Sequence, residues 1–536
     1  MSKLKTAALV ASAIAMIAST PHSANAAQTT PRWVLHVQNF SGGISNGVRF
    51  SLDPAVTAAQ ARHLAPVPDT TAPVTGNVRM NSDSNPKLPQ NEESIAYSLD
   101  DPMVAVAAAN DYINGGNIVM RTHDGGRHWA TTFVVPQLVA TREFCSGGDP
   151  AVTYSRRDHA FYMAQLCFFR TGPASEVQVY KSLTNGATWT PSRFAAVAAS
   201  NVDNATGTVD DTVFNDKELI AVDNTPTSRH YGRLYVSYTK FHLAADGSSD
   251  TCPIQLSYTD NVPTQNPSQT AWSHTAVLPD DTASGGVGES ANQFSTPVVE
   301  KDGSLDIAYS LEECNTSLDH GLRFQKSTDG GASFLNHGVH VNKPGQWRDN
   351  PDLADLIPTS AIRVPNTVSL AYSQRTGTLV FAYTNYITGR GHGDIAVSLS
   401  HDGGTSWSDS QVISLDANAP AANNQFFPWV AATPHGRFVA MWLDRRDDPR
   451  NHKIGTYEAR STDDGVTWVN RKISTAMWDP NLGFFTSGAF AGDYSGLAAN
   501  DRVIYPAWTD GRNTQIVHTG IGDTDVFTDV EIAPVW

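Results

Sequence analysis

The chain has 536 residues and a formal net charge of −16, from 53 acidic and 37 basic residues. This length exceeds what one ordinary hydrophobic core supports, and it predicts several domains or a repeat architecture. The acidic balance excludes nucleic acid as the expected partner, because phosphate binding needs a basic face. The 40 glycines and 30 prolines are scattered along the chain, which is typical of many short strands joined by turns.

Residues 1–26 are predicted to form a signal peptide. Lys3 and Lys5 precede an apolar stretch over residues 7–18, and a small-residue cleavage site follows at residues 24–26. The apolar stretch is too short to span a bilayer, and no later stretch is suitable. We therefore expect a secreted or periplasmic protein, released by cleavage near Ala26, with no transmembrane segment.

Residues 27–90 form a polar lead-in segment rich in proline and threonine, apart from the apolar run Trp33–Val37. Within it, Asn77–Met80 is a candidate closing strand for the domain that follows, which we place at residues 91–536. The four cysteines fit an oxidising compartment. We favour the pairs Cys145–Cys167 and Cys252–Cys314, although four cysteines allow three connectivities.

An eight-residue pattern recurs along the chain: Ser or Thr, any residue, Asp, any residue, Gly, any residue, Ser or Thr, aromatic. Copies occupy residues 122–129, 182–189, 327–334, 400–407 and 461–468, with Thr184 in place of Asp in the second. The pattern predicts a β-hairpin corner, in which the Asp accepts hydrogen bonds from turn N–H groups and the Gly takes a positive φ. The aromatic side chain would pack beneath the turn.

These copies resemble the Asp boxes of the sialidase superfamily, and the resemblance runs from about residue 90 to residue 515. It implies an all-β fold, a single β-propeller of four-stranded antiparallel blades, with each box between the third and fourth strands. Sialidases have six blades, whereas this chain contains seven blade-like units; seven is preferred and six is the alternative. The units begin near Ser94, Pro150, Leu219, Phe294, Thr367, Pro428 and Tyr494.

The loops that lead into the first strand and out of the second strand of each blade surround the channel of such a propeller, and this face is the expected site. Asp493-Tyr494-Ser495 resembles the Tyr-Ser pair that begins the last sialidase blade, where the tyrosine is the nucleophile. The resemblance implies that Tyr494 attacks the sugar. Asp493, Glu312 and Glu313 are the further catalytic candidates, and a nearby carboxylate would take the phenol proton.

Arginines on this face could bind a substrate carboxylate through their planar guanidinium groups. Ile362-Arg363-Val364-Pro365 resembles a sialidase motif whose arginine joins such a clamp, although here it lies in the fifth unit. The pattern Trp-x-Asp-x-Arg occurs at residues 442–446 and 508–512, where an Asp–Arg pair that braces a loop is the alternative interpretation. The substrate-binding candidates are Arg363, Arg445, Arg446, Arg512, Asp216, Lys217, Gln425 and Trp442.

Three functions follow as hypotheses. The first is an exported sialidase-like glycoside hydrolase that acts on a terminal sugar of a glycan, with acidic sugars among the candidates. The second is a polysaccharide lyase on a seven-bladed propeller, and the third is a propeller that binds a glycan or a protein without catalysis. No cofactor is required, no Cys or His spacing indicates zinc, and the acidic loops at 215–218 and 447–448 leave room for structural calcium. We expect a monomer.

Overall fold

The computed structural model describes most of the chain beyond residue 29. The described ranges are residues 30–60, 76–82, 88–203, 205–277, 292–352, 355–359, 362–387, 391–417, 419–481, 484–485, 488–513 and 522–532. The predicted signal peptide lies outside them. The α-helices within these ranges have six to eight residues, so none is long enough to cross a bilayer.

Seven four-stranded antiparallel blades form a β-propeller, which confirms the predicted fold and selects seven blades over six. Blades 1 to 3 consist of Gln90–Tyr97, Ala105–Asp111, Gly116–Thr122 and Ala130–Val134; Ala151–Ser155, Ala160–Phe168, Ser175–Ser182 and Ala196–Ser200; and Val213–Val222, Leu234–Leu243, Ile254–Thr259 and Ser273–Ala276, with Ser249–Thr251 added to blade 3.

Blades 4 to 7 follow in chain order. Their strands are Gln293–Val299, Leu305–Glu312, Asp319–Ser327 and Val339–His340; Ser369–Tyr372, Leu379–Asn385, Asp394–Ser400 and Gln411–Val412; Gln425–Ala432, Phe438–Asp444, Gly455–Ser461 and Val469–Lys472; and Gly496–Ala499, Val503–Asp510, Asp525–Asp529 and Asn77–Arg79, with Glu531–Ile532 added to blade 7. Two short pairs lie outside the blades, Leu415–Asp416 with Ala419–Pro420 and Phe484–Phe485 with Gly488–Ala489.

The ring closes between blades 7 and 1. Asn77–Arg79 pairs with Asp525–Asp529 and forms the outermost strand of blade 7, so that blade is built from both ends of the chain. The first strands of neighbouring blades contact one another around the whole ring, including those of blades 7 and 1. Closure of this kind removes the open sheet edges that an unclosed array would present.

The hydrophobic core is divided among the interfaces between blades. A separate cluster of buried apolar side chains fills each of the seven interfaces; Ile95 and Met120 of blade 1, for example, pack against Val503 and Tyr505 of blade 7. The second strands of all seven blades are almost wholly buried, because apolar neighbours cover both of their faces. The blades therefore form a rigid support for the loops at the two ends of the channel.

The five sequence repeats form the same turn between the third and fourth strands of blades 1, 2, 4, 5 and 6. In blade 6, Gly465 N donates to Ser461 Oγ at 2.8 Å, Thr467 N donates to Asp463 Oδ1 at 2.9 Å, and Trp468 Nε1 donates to Gly465 O at 2.9 Å. The hydroxyl and the carboxylate accept hydrogen bonds from backbone N–H groups of the turn, and the indole fixes the turn by donating to its backbone. These turns lie on the outer part of each blade and stabilise the architecture.

Three short helices precede the closing strand: α1 (Arg32–Asn39), α2 (Asn46–Ser51) and α3 (Pro54–Gln60). Two 3-10 turns occur elsewhere, at Ser192–Phe194 and Pro267–Gln269. The disulfides join Cys145 to Cys167 and Cys252 to Cys314, the pairing favoured from the sequence. Two disulfides are consistent with an oxidising compartment.

Candidate functional site

The first strands of four blades carry a β-bulge at their channel end. The register shifts at Glu92 in blade 1, Lys217 in blade 3, Phe294 in blade 4 and Phe427 in blade 6, and each of these residues has a positive φ of 53–59°. Non-glycine residues rarely adopt this conformation, and bulges redirect a side chain out of the pleat. Backbone strain repeated around one channel mouth marks this mouth as the candidate site.

Lys217 lies at the centre of an acidic cluster formed by three other blades. Its Nζ lies 3.1 Å from Glu92 Oε1, 3.1 Å from Asp493 Oδ2 and 3.6 Å from Asp149 Oδ2. All four side chains are buried. Burial would lower the pKa of Lys217, but the three carboxylates raise it well above its ordinary value, so the ammonium remains charged. We call these four residues the mouth cluster.

Glu92 has the higher pKa of the two acids that lie closest to Lys217. Burial and the neighbouring charge of Asp149 raise its pKa well above the ordinary value, although Lys217 opposes them. This shift favours the protonated form of Glu92. Asn110 Nδ2 donates to Glu92 Oε2 at 2.6 Å, and its Oδ1 accepts from Asp149 N at 2.7 Å.

Asp493 has the opposite character. Burial would raise its pKa, but Lys217 and Arg363 lower it below the ordinary value, and hydrogen bonds from the backbone and side chain of Asn46 support the charged form. Asp493 N also donates to Glu92 Oε1 at 3.1 Å. One cluster therefore contains a carboxylic acid and a carboxylate whose pKa values are pushed apart, the arrangement that acid–base catalysis requires.

Tyr494 lies against the mouth cluster. Lys217 Nζ is 4.8 Å from the centre of its ring, and the ring of Trp429 is 6.2 Å away. The phenol oxygen is buried and has no hydrogen-bond partner within the described ranges. Burial, followed by the charges of Glu92, Asp149 and Glu218, raises the pKa of Tyr494 well above its ordinary value. The phenol is therefore held in its neutral form.

A second acidic group surrounds Arg363, on the far side of Asp493. Its guanidinium lies 3.6 Å from Glu312 and 3.9 Å from Asp355. Burial raises the pKa of Glu312 to about 8, although Arg363 opposes this shift. Burial would lower the pKa of Arg363, but Asp493, Glu312 and Asp355 raise it. Lys217 and Arg363 are thus both paired with carboxyl groups of the protein.

Residues 41–51, which we call the latch, lie across the mouth cluster. Ser45 N donates to Asp216 Oδ2 at 2.6 Å, and Asn46 N and Nδ2 donate to the two oxygens of Asp493 at 3.2 and 3.0 Å. A methyl group on Gly47 would lie 2.5 Å from Asp149 Oδ1 and 2.6 Å from Glu92 Oε2, so only glycine fits there. The latch occupies the space in front of the catalytic candidates.

Apolar contacts hold the latch and the preceding helix in place. Trp33 of α1 stacks on Phe214 with ring centres 5.4 Å apart, and its Nε1 donates to Gly172 O at 3.0 Å. At the other end, Phe50 stacks on Phe485 and Phe490 at 4.8 and 4.9 Å. The sequence analysis placed this region in a polar lead-in; the structure instead packs its apolar residues onto the propeller.

The two Trp-x-Asp-x-Arg loops have the same internal contacts. Trp442 Nε1 donates to Asp444 Oδ2 at 2.7 Å, and Arg446 Nη2 lies 2.7 Å from the same oxygen. In blade 7, Trp508 Nε1 and Arg512 Nη2 bind Asp510 Oδ2 at 3.0 and 2.6 Å. These contacts match the interpretation in which an Asp–Arg pair braces the loop. Trp442, Arg446 and Arg512 are therefore assigned to the support of their loops.

Three other predicted residues have contacts outside the mouth cluster. Arg445 Nη1 donates to Pro358 O and Asn451 O, and Gln425 Nε2 donates to Ala422 O. Glu313 is partly exposed and binds Thr316 Oγ1 and His320 Nε2. Among the predicted site residues, the structure brings together Tyr494, Asp493, Asp216, Lys217, Arg363 and Glu312.

Glu92 and Asp149 were not among the residues selected from the sequence as catalytic or binding. Glu92 lies near the start of the first strand of blade 1, after Asn91, and Asp149 precedes the first strand of blade 2, after Gly148. Asn215-Asp216-Lys217-Glu218 has the same form, so the recurrence of an amide followed by acids at strand starts was the available signal. Alignment of the seven strand starts would have placed Glu92 and Asp149 in the same set as Asp216 and Lys217.

Within the described ranges, no group of three or more His, Cys, Asp or Glu side chains is arranged to hold a metal ion. The ammonium of Lys217 takes the central position among the mouth carboxylates. At the other predicted calcium loop, Asp447 accepts from Tyr457 and pairs with Lys472 Nζ at 2.7 Å. Structural calcium stays a prediction from the sequence.

No protein-family model and no curated protein sequence matches the chain. Solved structures with a similar fold include a Hadza microbial sialidase (TM-score 0.43, 13% identity, 80% of this chain and 73% of that chain). A leech intramolecular trans-sialidase has a TM-score of 0.45 and 12% identity over 75% and 70% of the chains, and an ulvan lyase 0.39 and 11% over 74% and 84%. These values do not assign the chain to a family, and the function rests on the residues of the mouth.

Proposed function

We propose that this chain is an exported glycoside hydrolase that acts with retention of configuration, and that the latch holds its site closed. The single observation that carries this proposal is the pair of carboxyl groups beside Lys217, in which the pKa of Glu92 is raised and that of Asp493 is lowered. Glycoside hydrolases use one carboxylic acid and one carboxylate on either side of the scissile bond. The predicted signal peptide supports export.

Glu92 is the proposed acid and Asp493 the proposed nucleophile. Glu92 donates its proton to the glycosidic oxygen as the bond to the anomeric carbon breaks, and an Asp493 oxygen forms a new bond to that carbon. Glu92, now a carboxylate, then takes a proton from water. That water attacks the anomeric carbon, the bond to Asp493 breaks, and both side chains regain their starting state.

The distances at Lys217 support retention. The nearest oxygens of Glu92 and Asp493 each lie 3.1 Å from the same nitrogen, so they are within about 6 Å of each other. Inverting pairs need roughly 6.5 to 9.5 Å, which leaves room for a water molecule, whereas retaining pairs are closer. The product is therefore expected to keep the anomeric configuration of the substrate.

The charge of the mouth favours an uncharged sugar at the reacting position. Lys217 and Arg363 are already paired with carboxyl groups of the protein, so neither is free to bind a sugar carboxylate. The lyase hypothesis needs a free cation to neutralise a uronate, and binding of sialic acid needs free arginines to hold its carboxylate. Because both cations are already paired, no observation favours either alternative.

The test measures release of 4-methylumbelliferone from a panel of neutral glycosides in both anomeric forms, with an α-sialoside as the acidic comparison. We expect release from a neutral glycoside, a loss of about 10²–10⁴-fold in kcat for Glu92→Gln, and a comparable or larger loss for Asp493→Asn. Glu143→Gln, a change at an exposed glutamate outside the mouth, is the control and should keep full activity.

Two outcomes would overturn the proposal. Release from the α-sialoside alone, abolished by Tyr494→Phe, would restore the tyrosine mechanism inferred from the sequence. Absence of release from every glycoside, in a variant whose latch has been shown to open, would favour a propeller that binds glycans without catalysis.

A further inference from the structure

A cavity of about 490 Å³ lies on the same face as the mouth, between blades 1 and 2. The connection between the two blades and the loop after the second strand of blade 2 form two of its walls. The turn at Asn114-Gly115 forms a third wall, and Thr57 of α3 contributes to the rim. The mouth cluster does not line it, so it is a separate site. We call it the Arg170 pocket.

Arg170 supplies the charge of this pocket. Its Nη1 donates to Thr57 Oγ1 at 3.3 Å, whereas its Nε is buried and, among the described residues, lacks a hydrogen-bond partner. Across the ranges that the structure describes, no carboxylate pairs with Arg170, and burial lowers its pKa to about 10 without an opposing acid. An arginine placed in this way is suited to bind an anionic ligand.

Phe144 supplies an aromatic surface. Its ring is 64% exposed, one of the most exposed large apolar side chains of the described residues, and Phe169 is half-buried in the wall beside Arg170. An aromatic ring at the rim of a cavity offers an apolar surface to a ligand that enters the cavity. The C–H face of a sugar ring stacks on such a phenyl group.

The disulfide Cys145–Cys167 fixes the two walls relative to each other. Phe144 precedes Cys145, and Arg170 follows Cys167 by three residues, so the covalent bond ties the aromatic wall to the arginine wall. Bridges between Ser146 and Phe168 reinforce it. A pocket held in this way binds without a large ordering cost.

The pocket is connected to the mouth through a single strand end. Asn110 contacts Glu92 and Asp149 of the mouth cluster, and the same chain continues four residues later to Asn114 at the pocket. A glycan whose reacting sugar lies at the mouth would extend over this turn.

We propose that the Arg170 pocket binds an anionic group on a sugar ring of the glycan, with the guanidinium of Arg170 on the anion and Phe144 against the ring. A carboxylate and a sulfate ester share this chemistry, and both match the guanidinium fork. The pocket would thereby select glycans in which a neutral reacting sugar is accompanied by a charged one.

The test is calorimetric titration of the full mature chain with three tetrasaccharides. These are tetragalacturonate, which carries carboxylates, a κ-carrageenan tetrasaccharide, which carries sulfate esters, and uncharged cellotetraose. We expect one or both charged probes to bind and cellotetraose to bind at least tenfold more weakly. Arg170→Gln should lower the affinity for the charged probe at least tenfold. Arg170→Lys should lower it less, and Phe144→Ala should lower it several-fold. Because the complex contains an arginine–anion pair, the affinity should fall with added salt.

Arg142→Gln is the matched control, since Arg142 is an exposed arginine on the same connection and does not line the cavity. It should leave the affinity unchanged. The proposal is overturned if no charged probe binds the wild type, if binding survives both Arg170→Gln and Phe144→Ala, or if inorganic sulfate or a tetraglutamate peptide competes as well as the sugar. Titration needs no hydrolysis, so failure here and failure of the proposed function are distinguishable.

Discussion

Lys217 determines the character of the mouth at the scale of single residues. A buried lysine alone would lose its charge, and buried carboxylates alone would take up protons. Together they shift the two pKa values in opposite directions: Lys217 and Arg363 lower that of Asp493, whereas burial and Asp149 raise that of Glu92. The strained backbone at Glu92 and Lys217 is consistent with this arrangement, because bulges at the strand starts bring the two side chains to one point.

Glu93 is expected to make stability depend on pH. Burial raises its pKa from 4.5 to about 8, while a hydrogen bond from Thr509 opposes the shift. Between these values the folded state holds one more proton than the unfolded state, so the free energy of unfolding falls as pH rises from 4.5 to 8. Glu93→Gln should flatten this fall by a few kcal/mol, measured by denaturant titration at several pH values.

Glu143→Gln is the control for Glu93, because Glu143 is an exposed glutamate. Its pH dependence should equal that of the wild type. Buried His36 works in the opposite direction, since burial lowers its pKa to about 4 and its contribution is lost as pH falls below 6.5. If the free energy of unfolding changes equally with pH in Glu93→Gln and the wild type between pH 4.5 and 8, Glu93 is not held protonated.

The sequence predicted some of these residues for reasons that the structure explains. Tyr494 and Asp493 were selected because a Tyr-Ser pair begins the last blade, and both lie at the mouth. Arg446 and Arg512 were selected by a repeated pattern that stabilises loops. A repeated Asp–Arg spacing indicates a recurring local structure, whereas convergence across blades depends on ring geometry that no local pattern encodes.

At the scale of elements, the latch is the feature with functional consequences. Its donors meet Asp216 and Asp493 where a substrate hydroxyl would bind, and its glycine at position 47 is the part closest to the acid pair. The sequence predicted only that Trp33–Val37 was an apolar exception in a polar stretch. A short run with four apolar residues does not reveal which surface it covers.

Trp33→Ala should open the latch. The substitution removes the stack on Phe214 and the bond to Gly172, a loss of about 3–5 kcal/mol for a buried tryptophan. Because this cost falls on the helix that precedes the latch, we expect faster amide hydrogen exchange in residues 41–51, measured by mass spectrometry. If the proposed function holds, the hydrolysis rate should increase as well.

Trp407→Ala is the comparison for Trp33→Ala, since Trp407 is a buried tryptophan between blades 4 and 5. It should lower the global stability while leaving the exchange of residues 41–51 no faster than that of its surroundings. If Trp33→Ala leaves the exchange of the latch at the wild-type rate, the latch is an integral part of the fold and does not open.

At the scale of the whole molecule, stability depends on closing the ring. The sequence predicted seven blades from the spacing of repeats and strand starts, and it identified the segment around Asn77 as a closing strand. The pairing of an N-terminal strand with the last blade could be anticipated, because without it that blade would have an open edge strand. Six blades was the alternative, because sialidases have six and one of the seven units could have been an insertion.

Asn77→Ala should weaken the closure. Asn77 Nδ2 donates to Ile473 O at 2.7 Å, and its Oδ1 accepts from Thr475 N at 2.6 Å and Arg512 Nη2 at 3.0 Å. Loss of these buried bonds should cost on the order of 2–4 kcal/mol and lower the melting temperature by several degrees in calorimetry. Asn39→Ala, at an exposed asparagine, is the control; equal melting temperatures for the two variants would contradict this role.

The most direct test of the central claim is to trap the glycosyl-enzyme intermediate. The Trp33→Ala protein is incubated with the 2-deoxy-2-fluoro glycosyl fluoride of the panel sugar that it releases, and the modified peptide is located by mass spectrometry. The account predicts one covalent sugar on Asp493, and no adduct in Asp493→Asn. An adduct on Tyr494, or hydrolysis that persists in Asp493→Asn, would contradict it.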